Sequence, residues 1–107
     1  MKEGTKEDAG KLRLDLIPPE ALFALGEVLT YGAKKYGDKN WEKGIKYSRV
    51  YGAVLRHLLA WRAGEQEDDE SFLPHLWLAF CELMFLLTFD ERELSAKFND
   101  LTGGEKI

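Results

Sequence analysis

The residues best suited to chemistry lie between positions 64 and 82. Five of the six residues from Glu65 to Glu70 are acidic, and an almost wholly apolar run, residues 74–89, follows them. The run is interrupted chiefly by His75 and Glu82. Hard divalent cations such as Mg²⁺ and Mn²⁺ prefer oxygen ligands. An acidic loop that leads into such a helix therefore predicts an all-oxygen site for a divalent cation.

Glu65 and Asp68 are spaced three residues apart, which places both carboxylates one turn apart if a helical turn continues there. Two carboxylates in that arrangement can bind a single Mg²⁺ or Mn²⁺. An ordinary solvated acidic loop is the alternative. The loop lacks the glycine and the spacing of a calcium-binding helix–loop–helix, so that class of site is excluded.

Glu82 is a carboxylate inside an apolar helix, where burial costs free energy unless the group is paired, protonated or bound to a metal. It follows His75 by seven residues, so the two side chains lie on one helix face, about 20° apart. Glu82 can pair with His57, with Arg56 or with a lysine of another subunit. It can also complete a metal shell or act as a general base on the attacking water. The sequence leaves these alternatives open.

The segment KKYGDKNWEKG, residues 34–44, has a composition that suits nucleotide binding. Its lysines can bind phosphate, and the rings of Tyr36 and Trp41 can stack on a base. A surface loop pinned by a buried Trp41 is the alternative. The chain has no glycine-rich phosphate loop and no Gly-x-Ser-x-Gly elbow, and its one cysteine, Cys81, lies in the apolar run. Serine and cysteine nucleophiles therefore have no support.

The helical spacing of apolar residues predicts the elements that carry these groups. The predicted helices are residues 19–37, 48–64, 74–89 and a short segment within 90–101. Pro19 favours the start of the first helix, Gly37 ends it, and Ser48 is the expected N-cap of the second. Residues 1–11 and 102–107 are expected to be flexible. The prediction is a single all-α domain over residues 1–107, a small bundle of three to four helices.

Composition narrows the class of protein. The net charge of −4 argues against general nucleic-acid binding, which requires a basic surface. One cysteine excludes an internal disulfide, and the polar start MKEGTKEDAG resembles no secretory leader, so a cytoplasmic protein is expected. The apolar stretch 72–89 approaches the length of a membrane span, but His75 and Glu82 within it argue against one. So much apolar surface on one helix predicts a homodimer or homotetramer.

Five blocks of sequence, in a fixed order, resemble one known family. They are RLDLIPPEAL (13–22), YGAKKYGDKNWEKG (31–44), RHLLAW (56–61), GEQEDDES (64–71) and PHLWLAFCELMFLL (74–87). They resemble the phage and bacterial family of dATP/dGTP diphosphohydrolase N-terminal domains, over about residues 11–89. That family is similar to the all-α, MazG-like nucleoside triphosphate pyrophosphatases. Its MazZ-like members resemble those enzymes in their chemistry and have purine deoxynucleotides as substrates. The resemblance implies an oligomeric helical enzyme that uses Mg²⁺ or Mn²⁺ to release pyrophosphate, located in the host cytoplasm if phage-encoded.

The residues and the resemblance together give each candidate a predicted role. The predicted catalytic residues are Glu65, Asp68 and Glu82. The predicted metal ligands are Glu65, Asp68, Asp69, His75 and Glu82. The residues predicted to bind substrate are Lys35, Tyr36, Asn40, Trp41, Arg56 and His57. The chain departs from the family pattern at Leu78, where a second histidine is frequent, and at Glu82, where an amide or a small residue is usual.

The expected function is therefore metal-dependent hydrolysis of a deoxynucleoside triphosphate, most readily a purine one, to the monophosphate and pyrophosphate. The alternative is a non-catalytic helical module that binds nucleotides or a protein partner through the same apolar helix. Neither a nucleic acid nor a membrane is an expected partner.

Overall fold

The computed structural model describes residues 2–106, and the architecture of these residues is helical. The α-helices are α1 (Pro19–Tyr36), α2 (Tyr47–Arg62), α3 (His75–Glu91) and α4 (Ser95–Phe98). Two short 3₁₀ turns, Leu14–Leu16 and Asn40–Lys43, precede α1 and α2 respectively. No strand forms within residues 2–106, where an isolated bridge joins Glu67 and Pro74. The predicted all-α class is confirmed.

The bounds of α1 follow from its sequence. Pro19 occupies the start of the helix, where its missing N–H costs nothing. Gly37 follows the last turn with φ +98°, a conformation that L side chains rarely adopt, and its N–H donates to the Ala33 carbonyl at 2.8 Å. These two residues set the length of α1, and hence the position of Lys35 and Tyr36 at its C-terminal end.

The start of α2 depends on a residue far away in the sequence. The helix begins at Tyr47 with Lys46 as its cap residue, so the predicted N-cap at Ser48 is wrong. Ser48 lies inside the first turn, where its N–H donates to Asp100 Oδ1 at 2.8 Å and its hydroxyl donates to Oδ2. Asp100 therefore satisfies donors of the first turn from 52 residues away. No local sequence pattern reveals such a partner.

The central helix is α3, which packs against both α2 and α1. Its C-terminal half carries the core, where Phe89 is fully buried against Tyr47 and Val50 of α2. The Tyr47 hydroxyl donates to Asp90 Oδ1 at 2.7 Å, which satisfies the polar end of a buried ring. In the described part of the chain, no helix, α3 included, is long and apolar enough to cross a membrane.

The fourth helix is shorter than the segment 90–101 suggested. Glu93 adopts a left-handed conformation with φ +60°, and only Ser95–Phe98 are helical after it. The Phe98 ring lies against Gly44, a residue with φ +100°, and leaves no room there for a side chain. Met1 and Ile107, which belong to the two terminal segments predicted to be flexible, lie outside the described residues.

Replacing Phe89 with alanine tests this location of the core, because Phe89 is the largest fully buried side chain. We expect the free energy of unfolding to fall by about 3–5 kcal/mol, from lost apolar burial and the cavity left behind. Urea denaturation followed by circular dichroism measures the change. Phe23→Ala is the matched control, because that ring is 72% exposed and its removal should change stability by less than about 0.5 kcal/mol. Similar losses in both variants would contradict the assignment.

Candidate functional site

Three potential metal ligands converge where α2, the acidic loop (residues 65–73) and α3 meet. One ligand atom from each of His57, Asp68 and His75 lies within 4.8 Å of the other two. His57 comes from α2, Asp68 from the acidic loop, and His75 is the first residue of α3. The Nδ1 atoms of the two histidines are 2.9 Å apart. We call these three residues the His–Asp–His cluster.

Hydrogen bonds within the acidic loop hold Asp68 in place. The Asp68 N–H donates to the Leu73 carbonyl at 2.9 Å, and the Phe72 N–H donates back to the Asp68 carbonyl at 2.8 Å. Asp68 Oδ2 also accepts from the Ser71 N–H and hydroxyl, each at 2.9 Å. Burial raises the pKa of Asp68, but the bonds from Ser71 outweigh burial, and the net pKa lies below its usual value. Asp68 is therefore ionised at neutral pH, the form that binds a metal.

His75 is anchored between the acidic loop and α3, and only 6% of it is exposed. Its N–H donates to the Gln66 carbonyl at 2.8 Å, which ties the start of α3 to the loop. Glu65 Oε2 lies 3.6 Å from Nε2, the ring nitrogen that faces away from His57. A carboxylate beside the outer nitrogen of a ligating histidine helps to orient the ring. Glu65, predicted as a direct ligand, thus lies behind His75 rather than within the cluster.

His57 is half-buried, and its surroundings favour the neutral imidazole. Burial lowers the pKa of His57, the neighbouring His75 and Arg56 lower it further, and the Asp68 carboxylate opposes them. A neutral imidazole offers a lone pair to a metal ion. Two donors bound to one ion at about 2.1 Å lie about 3 Å apart, and the two Nδ1 atoms satisfy this separation. The three residues therefore fit a divalent cation.

The donor set of the cluster differs from the all-oxygen site that the acidic loop suggested. It contains two imidazole nitrogens and one carboxylate oxygen, and this mixture favours a first-row transition ion such as Mn²⁺ over Mg²⁺. Asp69 is exposed, and neither Asp69 nor Glu82 belongs to the cluster. The sequence predicted that His57 binds substrate. It did not reveal that His57 lies in the cluster.

A groove with a volume of about 1310 Å³ opens beside the cluster. Residues of α1 and α2 line it together with Glu82 and Phe85 of α3. The six residues predicted to bind substrate all line it as well: Lys35, Tyr36, Asn40, Trp41, Arg56 and His57. Because Asp68 also lines the groove, one cavity joins the His–Asp–His cluster to basic and aromatic side chains.

Two contacts shape the groove. Lys35 of α1 forms an ion pair with Glu70 of the acidic loop, and this pairing raises the pKa of the lysine. Trp41 stacks on Phe85 of α3, with ring centroids 4.5 Å apart and an interplanar angle of 17°. Trp41 therefore pins its loop to α3 while it lines the groove. Tyr36, at the end of α1, is the more accessible ring, at 63% exposure.

Glu82 is the one carboxylate that α3 contributes to the groove. Burial raises the pKa of Glu82 to about 7, although the charge of nearby Arg56 opposes this shift. The adjacent Cys81 is buried, and burial raises the pKa of its thiol to about 12. The thiol therefore stays protonated, whereas Glu82 changes its charge near neutral pH.

Comparison with known proteins identifies the family of the chain. Residues 1–99 match the family described as dATP/dGTP diphosphohydrolase, N-terminal. The chain belongs to this family. A dATP/dGTP diphosphohydrolase of Salmonella phage PMBT28 is 39% identical over 100 residues, which cover 87% of this chain and 34% of the relative. The chain thus spans about a third of the length of this curated relative, and no solved structure matches.

The half-buried carboxyl of Glu82 predicts a pH-dependent stability. The pKa of Glu82 is raised from 4.5 to about 7 in the folded state. The protonated carboxyl therefore contributes fully to the free energy of unfolding below pH 4.5, and this contribution is lost as the pH rises through 7. We expect Glu82→Gln to be more stable than the wild type by about 1–3 kcal/mol at pH 8, and nearly equal at pH 4.5. Urea denaturation at both pH values measures this. Glu91→Gln, an exposed change on the same helix, is the control, and a Glu82→Gln variant that behaves like it would refute the prediction.

Proposed function

We propose that this chain binds a purine deoxynucleoside triphosphate in the groove and hydrolyses it, with a divalent cation, to the monophosphate and pyrophosphate. The observation that carries the proposal is the His–Asp–His cluster at a groove lined by basic and aromatic side chains. Membership of the family, and the name of the phage relative, supply the substrate class.

His57, Asp68 and His75 hold the cation in this proposal. When bound, the cation neutralises phosphate charge and lowers the pKa of a water molecule. Mn²⁺ suits the mixed nitrogen and oxygen donors better than Mg²⁺. Glu65, whose carboxylate lies 3.6 Å from the outer nitrogen of His75, orients that ring from outside the cluster.

Arg56 and Lys35 bind the phosphates. Arg56 is exposed, lines the groove and neighbours the ligand His57, so its guanidinium can reach an anion bound at the cluster. Lys35 pairs with Glu70, and an exposed ion pair of this kind contributes little free energy, so phosphate can replace the carboxylate. Tyr36, Asn40 and Trp41 border the sugar and the base.

The competing proposal is nucleotide binding without turnover, and one observation favours it. The chain spans 34% of the length of the phage relative, so residues outside the matched region can contribute to that protein's activity. A binding module predicts nucleotide affinity with no release of pyrophosphate. Incubation of the purified chain with each deoxynucleoside triphosphate and Mn²⁺ separates the two proposals, with an active pyrophosphatase as the positive control.

Substituting a cluster ligand tests the metal dependence. Asp68→Asn and His75→Ala should each reduce pyrophosphate release by at least about 100-fold, because losing even an outer-shell partner of a metal costs 10- to 100-fold. Rates with Mn²⁺ and Mg²⁺ measure the ion preference, and circular dichroism checks the fold. Asp8→Asn, in the exposed N-terminal segment, should leave the rate unchanged. Full activity of folded Asp68→Asn would remove the cluster from the mechanism.

We further propose that two copies of the chain associate through α2 and α3. On α3, the exposed residues Leu76, Phe80, Leu83 and Leu87 recur at intervals of four, three and four. An apolar groove of about 410 Å³ lies beside this stripe and is also lined by Val54 and Leu58 of α2. A stripe with this spacing can form the interface between helices in a four-helix bundle. A twofold axis would place the stripe of one copy against the same stripe of the other.

The exposure of the stripe supports this association, because a single copy leaves four large apolar side chains of one helix face in water. Leu83→Glu should therefore shift the protein from dimer to monomer in light scattering, because it places a charge on the apolar stripe. Leu101→Glu, at a residue of similar exposure outside the stripe, should leave the mass unchanged. A monomeric wild-type protein would refute the proposal.

A further inference from the structure

Glu82 stands apart from the other acidic residues of the groove. It lies inside α3, whereas the acidic loop supplies the other carboxylates close to the cluster. Asp68 accepts hydrogen bonds from Ser71, and Glu70 is paired with Lys35. Within residues 2–106, no hydrogen bond or ion pair engages the Glu82 carboxyl. A half-buried carboxyl that lines a cavity and is bonded to no side chain is available to a ligand.

The position of Glu82 corresponds to the nucleoside end of a bound nucleotide. Seven residues separate it from His75 on the same helix, a displacement of about 10 Å along the axis. Phe85, one turn further on, carries the stacked Trp41 ring. A triphosphate bound at the cluster and extended along α3 therefore places its base between Glu82 and these aromatic side chains. This step rests on the function proposed above.

We propose that Glu82 reads the Watson–Crick edge of the purine and makes the site selective for guanine. An ionised carboxylate accepts two hydrogen bonds, one from the N1–H of guanine and one from its 2-amino group. Adenine offers a donor, its 6-amino group, but an acceptor at N1, which repels the carboxylate. Glu82 is thus a specificity-determining residue and not a ligand of the cation.

The protonated form of Glu82 loses this preference, because a carboxylic acid can pair with adenine as well as with the O6 and N1–H of guanine. Its carbonyl oxygen accepts from the 6-amino group of adenine while its O–H donates to adenine N1. The glutamine side chain has the same pattern permanently, because its amide carries one acceptor and one donor group. The selectivity for guanine over adenine should therefore rise with pH in the wild-type protein and be low and constant in Glu82→Gln.

The charges that surround Glu82 in the groove determine where this change occurs. Arg49, Arg56 and His57 line the groove from α2, and the paired Lys35 and Glu70 line it from α1 and the acidic loop. Other titratable groups that line it are Tyr31 and Tyr36 of α1, Asp68 of the acidic loop, and Asp38 and Lys39 before the 3₁₀ turn. Glu42, from the 3₁₀ turn, also lines it and is paired with Arg92 at 2.7 Å. Burial raises the pKa of Glu82 to about 7 against the opposing charge of Arg56, and the neighbouring Cys81 thiol stays neutral. The preference therefore changes between about pH 6 and pH 8.

Equilibrium binding of dGTP and dATP tests the proposal independently of hydrolysis. Isothermal titration calorimetry at pH 5.5, 7.0 and 8.5, with Mn²⁺ and the non-hydrolysable α,β-imido analogues of dGTP and dATP, gives the two dissociation constants. Their ratio is the useful quantity, because protonation of the triphosphate or of the histidines affects both nucleotides alike. In the wild type we expect the preference for dGTP to increase about 10- to 100-fold from pH 5.5 to pH 8.5, the discrimination typical of one bidentate base contact.

The variants decide between the possible outcomes. Glu82→Gln should bind both nucleotides with a ratio that is independent of pH and shifted towards dATP, while Glu91→Gln on the same helix should match the wild type. A wild-type ratio that does not change with pH, or a Glu82→Gln ratio equal to that of the wild type, overturns the inference. So does a failure to bind either nucleotide. Binding with the expected ratios but without pyrophosphate release supports base reading by Glu82 and removes only the hydrolytic function.

Discussion

The contact between the His57 and His75 rings joins the three segments that form the site. His75 is nearly buried, and a buried imidazole costs free energy unless its nitrogens have partners. His57 faces one nitrogen and Glu65 lies near the other, so α2 and the start of the acidic loop are both held against α3. A divalent cation bound by both rings would satisfy the two Nδ1 atoms that face each other. The partners of the buried His75 ring therefore help to hold the segments together, and the same ring can bind the cation.

The groove contains one exposed ion pair that can open and one carboxylate that is held in place. Lys35 is paired with Glu70 at an exposed position, where an ion pair contributes little free energy and opens readily. Asp68 is different, because its hydrogen bonds with Ser71 and the loop backbone fix its orientation. The fixed carboxylate of Asp68 suits a metal ligand. The exposed Lys35–Glu70 pair suits a surface where the lysine must leave the carboxylate and bind an incoming phosphate. The acidic loop provides both carboxylates, Asp68 and Glu70.

The sequence predicts the helices far better than it predicts the site. Pro19 and Gly37 mark the ends of α1 because proline and glycine act locally on the backbone. The spacing of Glu65 and Asp68 was misleading, because a three-residue interval places two carboxylates together only in a helix. The acidic loop instead turns back on itself, with Phe72 at φ +61°. Asp68 consequently meets residues of two helices rather than Glu65.

His57 shows why the cluster itself escaped prediction. In helical projection it falls at the rim of the apolar stripe of α2, which is the signal that it faces a neighbour. Which neighbour it meets depends on how α2 packs on α3, and periodicity does not encode that register. Glu82 was easier to single out, because a carboxylate within an apolar helix is conspicuous in any packing arrangement. Its surroundings in the groove came only from the structure.

The bond between Asp100 and Ser48 has a consequence for how the protein is made. A ribosome synthesises the chain from its N-terminus, so Ser48 emerges well before the carboxylate that satisfies the first turn of α2. Until residue 100 has left the exit tunnel, that turn can only fray in water. The first turn of the helix that supplies Arg56 and His57 therefore gains its hydrogen-bond partner only after residue 100 has emerged from the ribosome.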